Sequence, residues 1–171
     1  MPAPGAVPAS ASLPRRLAAL GYEGLLLAAV ILIVGFLITP LITPGAAASR
    51  ELMLPDLTGR VFAFCAVFAG AALYFTASWS GGRRTLPMKT WHMTVCRADG
   101  LPLDRRTALA RYVAAWIGPG CAAGAYLLLK PAGLGALAVG LLALNFVWAL
   151  VDPERLFLHD RIAGTRLVRS D

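Results

Sequence analysis

Residues 15–39 read RRLAALGYEGLLLAAVILIVGFLIT, from Arg15 to Thr39. Between Leu17 and Thr39 the run is apolar except for one ionisable acid, Glu23. About 20 consecutive apolar residues are what an α-helix needs to cross a bilayer core. A carboxylate in such a helix costs roughly 2.5–3.5 kcal/mol on insertion scales, so it marks a candidate functional position. The meaning of Glu23 therefore depends on whether the chain lives in lipid.

The remainder of the chain answers in the same sense. The protein has 171 residues, 58% hydrophobic and 15% charged, with a mean hydropathy of +0.68. Soluble domains carry about 25% charged residues. Three further apolar stretches occur at 61–79, 112–129 and 134–151, and with 17–39 they predict four transmembrane helices. None shows the polar stripe that a soluble bundle presents to water. Pro131, Gly133 and Gly135 separate the third stretch from the fourth and predict a tight helical hairpin. The fold class is thus an all-α integral membrane protein with one membrane domain over 15–169. Residues 1–14, rich in Pro, Ala and Ser and without charge, read as a disordered tail. The first apolar run is longer than the h-region of a signal peptide, so it reads as an uncleaved anchor.

The basic residues sort by loop. Arg15 and Arg16 precede the first span. Arg83, Arg84, Lys89, Arg97, Arg105, Arg106 and Arg111 lie between the second and third. Arg155, Arg161, Arg166 and Arg169 follow the fourth. Only Arg50, Arg60 and Lys130 fall in the other two loops. The positive-inside rule then puts both termini and the 80–111 loop in the cytoplasm of a bacterial inner membrane. The net charge of +7 is expected to meet anionic lipid headgroups. No basic stripe interleaved with aromatics points to nucleic acid. Cys65, Cys96 and Cys121 show no metal-ligand spacing and read as free thiols. No nucleophile–base pair, phosphate loop or metal signature appears, so neither catalysis nor a cofactor is expected.

The 80–111 loop has local structure of its own. Trp91, Met93 and Val95 alternate with His92, Thr94 and Cys96, a strand period. Asp99-Gly100 supplies a turn, after which Leu101-Pro102-Leu103 reads as the start of a return strand. Thr165 to Val168 is short and β-prone. A small cytoplasmic β element joining 91–97 to 165–168 is expected. Asp104 is a suitable N-cap for a helix from Arg105 through Arg111 into the third span. Gly118-Pro119-Gly120 predicts a kink there, and Asn145 an interhelical hydrogen bond.

Three pieces carry a resemblance: Arg16 with an acid seven residues later; Gly82 to Lys89 followed by Thr94–Gly100 and Arg111; and His159-Asp160-Arg161 running to Val168. Their order and spacing resemble the RDD family of bacterial membrane proteins, named for an arginine and two aspartates, over about 14–169. The resemblance aligns Arg16 with the family arginine, Glu23 with the first aspartate and Asp160 with the second. Thr85 to Lys89 lies where the family has a Thr-x-Gly-Lys stretch, with Met88 at the glycine. It implies a multi-pass membrane protein, with transport, including cation/proton exchange, proposed for some members.

The candidate charged cluster is Arg16, Glu23, Arg111, Asp160 and Arg161. Arg16 and Glu23 share a helix face but lie about 10.5 Å apart along it, too far for a direct ion pair. Asp160 is expected to fold back onto a basic residue, with Arg16 the favoured partner. His159 and His92 read as surface residues. Two function classes follow: a small transporter or exchanger, working as an oligomer, or an accessory or scaffold protein that binds a membrane-protein partner.

Overall fold

An apolar helix with no polar stripe cannot choose a buried face, and the first helix of the computed structural model behaves accordingly. The structure describes residues 10–43 and 54–170. Helix α1, Leu13–Ile42, is 30 residues long and starts with a proline in its first turn, where a missing N–H costs nothing. None of its most apolar 18-residue window is buried inside the protein. Leu32, Phe36 and Leu37 stand largely exposed. By length and composition such a helix suits a membrane.

Helix α2, Leu57–Trp79, begins at Asp56, whose carboxylate accepts the Gly59 N–H at 2.8 Å. It packs on α1 and on α4, Arg105–Ala115. Asp104 caps α4 by accepting the Thr107 N–H at 3.2 Å, as its sequence position predicts. Helix α5, Ile117–Leu129, continues α4 after a break at Trp116. Together with Lys130–Ala132 they make the third helix long and apolar enough to cross a membrane. Phe68, Phe75, Tyr112 and Trp116 form an aromatic seam between α2 and α4–α5.

The chain then turns at Gly133, where φ is +73°. The fourth expected span differs from a uniform α-helix. Gly135–Ala143 winds as a 3-10 helix, followed by one α-turn, α6 (Leu144–Val147), and a 3-10 end at Trp148–Leu150. Its residue count falls short of the three long helices, so among the described residues three helices and not four reach spanning length in residues. A Cβ on Gly118 would come within 3.1 Å of the Leu141 and Leu142 carbonyl oxygens. The glycine lets the two backbones touch.

The polar end of the molecule is built from short elements. Helix α3, Leu86–Thr90, is capped by Thr85. Strand β1, Met93–Arg97, pairs antiparallel with β2, Thr165–Arg169, with Val95 opposite Leu167 and Cys96 opposite Arg166. Helix α7, Leu158–Ala163, leads into β2 through Gly164 at φ +61°. Leu101–Leu103 forms only isolated bridges, Pro102 to Cys96 and Leu103 to Ser80, on the edge of β1 opposite β2, where Pro102 has no N–H to give to a ladder. The Ala11 N–H donates to the Leu167 carbonyl at 2.9 Å. Of the expected tail over 1–14, Ser10 and Ala11 are thus bound to β2, and residues 1–9 lie outside the described residues.

Candidate functional site

Three charged groups of the expected cluster end up buried on different elements. Asp160, in α7, has no exposed side-chain surface. Its Oδ1 accepts from Arg111 Nε at 2.8 Å and from Thr165 Oγ1 at 2.9 Å. Arg111, in α4, also lies with its guanidinium carbon 4.2 Å from the Trp79 ring centroid. A buried, hydrogen-bonded pair of this kind fastens α4, α7 and β2 together. The favoured partner of Asp160 was Arg16, and that expectation is corrected: Arg111 makes the contact. Arg111 presents its fork from α4, the helix against which α7 packs. Arg16 reaches the same region from α1 and contributes only longer-range attraction.

Arg16 is 3% exposed. One Nη donates to the Arg155 carbonyl, and the guanidinium stacks 4.8 Å from the Phe157 ring centroid. Its Nε and Nη1 are buried without a hydrogen-bond partner among the described residues. Glu23 lies on the same helix and is half-buried. The Tyr74 hydroxyl donates to its Oε1 at 3.1 Å, and the Thr85 hydroxyl to its Oε2 at 2.7 Å. Among the described residues Glu23 forms no ion pair. Thr85 thus does two things, capping α3 and holding the acid of α1.

His159 departs from its surface expectation. It is buried, with Nε2 3.3 Å from Arg111 Nη2 and 3.8 Å from Asp160 Oδ2. Burial is the main cause that pushes its pKa down to about 4, against the pull of Asp160 and with the help of Arg111 and Arg16. The ring is neutral at pH 7, so Nε2 accepts from Arg111 and the proton sits on Nδ1. Burial pushes the Asp160 carboxyl up, but Arg111 and His159 outweigh it and hold it below the usual range. His92 is exposed, as expected.

Arg161 stands apart from this centre. It pairs with Asp152 at 2.9 Å and with Glu154 at 3.6 Å. Asp152 also accepts the Glu154 and Leu156 backbone N–H groups. Burial raises its pKa, yet those N–H donors and Arg161 outweigh burial and lower it. Asp152 shapes the turn that returns the chain to α7. Its signal was the Asp-Pro-Glu sequence, since Asp often hydrogen-bonds backbone two residues on. Asn145 makes the expected interhelical bond, donating to the Ala115 carbonyl at 2.6 Å. That carbonyl is the one Pro119, four residues later, cannot bond.

A cavity of about 350 Å³ lies between α1, α2 and α4–α5. Arg16, Glu23, Arg111, His159 and Trp79 reach its wall. Leu27, Phe75, Tyr112 and Trp116 supply apolar surface. No group of metal-ligating side chains is present among the described residues.

The arginine and the acid seven residues on thus reach one cavity, and the aspartate after the last apolar stretch holds Arg111 and stands beside His159, both on its wall. The model of the RDD family matches residues 10–164. The chain belongs to the RDD family. The match covers nearly the whole chain, including every member of the charged cluster, and stops at the last residue before β2. Neither a curated protein nor a solved structure matches it. An RDD membrane protein with apolar helices is what sequence and structure agree on. Sequence reasoning missed Tyr74 in this site and read His159 as a surface residue, because what each faces is decided only when the helices are packed.

Proposed function

We propose that this RDD protein is a four-span, non-enzymatic protein of the bacterial inner membrane, both termini cytoplasmic, that works as a small transporter. Topology supports the span count. Ser10 and β1 both pair with β2, so the chain start, the α2–α4 connection and the C-terminal strand share one side. Helices α1 and α2 cross out and back, and α4–α5 crosses out again. Gly135–Leu150 must then return the chain. At about 2.0 Å per 3-10 residue and 1.5 Å per α residue it measures about 30 Å, the thickness of the hydrocarbon core. The basic residues crowd the side carrying β1 and β2, which makes that side cytoplasmic and sets it against anionic headgroups.

The observation that carries the transport reading is Glu23 itself. It lies on the wall of a cavity and is held by two hydroxyls rather than by a guanidinium. Hydroxyls donate to a carboxylate, accept from a protonated carboxyl, and can turn their lone pairs to a hard cation. Such a group can exchange a proton for a cation, as ionisable residues inside transporters do.

The test uses acid-loaded proteoliposomes with a trapped pH dye and pulses of Na+, K+ or Li+. Wild type is expected to dissipate the gradient at least about tenfold faster than protein-free vesicles, and Glu23→Gln to fall to their level. Wild type indistinguishable from empty vesicles with all three cations would overturn the transporter reading and leave the accessory role.

A further inference from the structure

Part of the cavity wall carries hydrogen-bond donors without acceptors. Arg16 Nε and Nη1, His159 Nδ1 and Trp79 Nε1 are all buried with no partner among the described residues. All three residues line the cavity. A buried N–H without an acceptor costs about 1–3 kcal/mol, and more when the group is charged. Arg111 is neutralised by Asp160 at 2.8 Å. Glu23, the carboxylate on the wall, already accepts from Tyr74 and Thr85. Asp160 Oδ2 is an acceptor without a hydrogen bond, but Asp160 is not on the cavity wall. Asp160 and Asp152 attract Arg16 only from beyond ion-pair distance, so this part of the wall holds a guanidinium with no direct counter-ion among the described residues and a surplus of donors.

The rest of the wall is of the opposite character. Leu20, Leu27, Phe75, Tyr112 and Trp116 line it. Leu20 is 37% exposed, so the cavity reaches the outer surface of α1. Its volume of about 350 Å³ lies in the range of small-molecule sites and is far more than an inorganic anion fills. Water can satisfy donors but brings no charge to offset Arg16.

We propose that the cavity binds an anionic phospholipid, with the phosphate at Arg16, His159 and Trp79 and the start of an acyl chain along Phe75, Tyr112 and Trp116. The phosphate supplies the missing acceptors and the compensating charge in charge-assisted hydrogen bonds. Arg16 sits near the cytoplasmic end of α1, at headgroup level, so a lipid of the inner leaflet reaches it without leaving the bilayer. The ligand is held there whether or not the protein transports, so its binding and the flux through Glu23 are separate properties.

Trp79 and Trp116 report occupancy from within the cavity wall. With Trp91 and Trp148 replaced by Phe, the full chain is placed in phosphatidylcholine nanodiscs. Increasing fractions of phosphatidylglycerol brominated on its acyl chains are added, and tryptophan quenching is followed. Half-maximal quenching is expected at a mole fraction at least about tenfold lower than with brominated phosphatidylcholine. Arg16→Gln is expected to bring the two lipids together. Inorganic phosphate at millimolar concentration is expected to leave the quenching unchanged. Equal quenching by both brominated lipids in the protein carrying Arg16 overturns the proposal without relying on any Arg16 variant. Reversal of quenching by inorganic phosphate also overturns it, in favour of a free-anion site.

Discussion

Asp160→Asn keeps the shape of the side chain and an oxygen for Arg111 and Thr165, but removes the charge. Arg111 is then a buried cation, 5% exposed at the side chain, facing a neutral histidine and the Trp79 ring. Removing one partner of a buried pair costs about 3–5 kcal/mol, because the other charge is left uncompensated. The exposed pair Arg97–Asp99, with 47% and 45% side-chain exposure, is worth about 0–1 kcal/mol. The Arg111–Asp160 contact clamps β2, so its loss should open the sheet. Cys96 is buried on β1 opposite Arg166 and reports that opening. With Cys65 and Cys121 changed to Ser, thiol labelling of Cys96 follows the open population when reclosing is fast. At 1.4 kcal/mol per decade, Asp160→Asn should speed labelling by roughly 100-fold or more. Asp99→Asn should change it less than about fivefold. Adding Arg111→Met to Asp160→Asn should recover at least half of the lost stability, since the orphaned charge is gone. Acceleration below about threefold, or no recovery in the double variant, would refute the claim that this pair is the clamp.

Two further outcomes are expected. The His159 ring is neutral when folded, with its pKa pushed down to about 4, while the unfolded chain takes up its proton below about 6.5. The unfolded state therefore binds more protons between those values. Stability falls as pH drops from about 6.5 toward 4, by about 3 kcal/mol in all. Asp160 faces this ring with a lowered pKa, so its own loss of stability comes at lower pH. Thermal unfolding followed by tryptophan fluorescence across that range should show the slope in wild type, and His159→Gln should flatten it. An unchanged slope in the variant counts against the assignment. Asn145→Ala should cost about 1–2 kcal/mol by leaving the Ala115 carbonyl unbonded. In a Pro119→Ala background the helix can fill that carbonyl itself, so the cost should fall by more than half. Strict additivity of the two changes would exclude the shared carbonyl.

What the sequence determined by itself was local or compositional. Long apolar runs with few charges meant lipid, because no folding pattern can hide that much apolar surface in so short a chain. Asp104 as a cap, Gly133 as a turn and the alternation over Met93–Arg97 were legible because each depends on neighbours within four residues. The same holds for the bond left open by Pro119, although the donor that fills it, Asn145, sits thirty residues away. The winding of Gly135–Leu150 was not legible, since apolar content gives length in residues but not rise per residue. The partners of the charged groups were decided only by tertiary packing. Glu23 meets hydroxyls 51 and 62 residues away, on α2 and at the start of α3. Asp160 meets Arg111 because α7 docks on α4, and Arg16, of the same charge and on the same side, is left with a carbonyl, a ring and an open cavity. The sequence specifies which charges exist. Only the three-dimensional arrangement sets the distances of a few ångströms that determine which of them are neutralised.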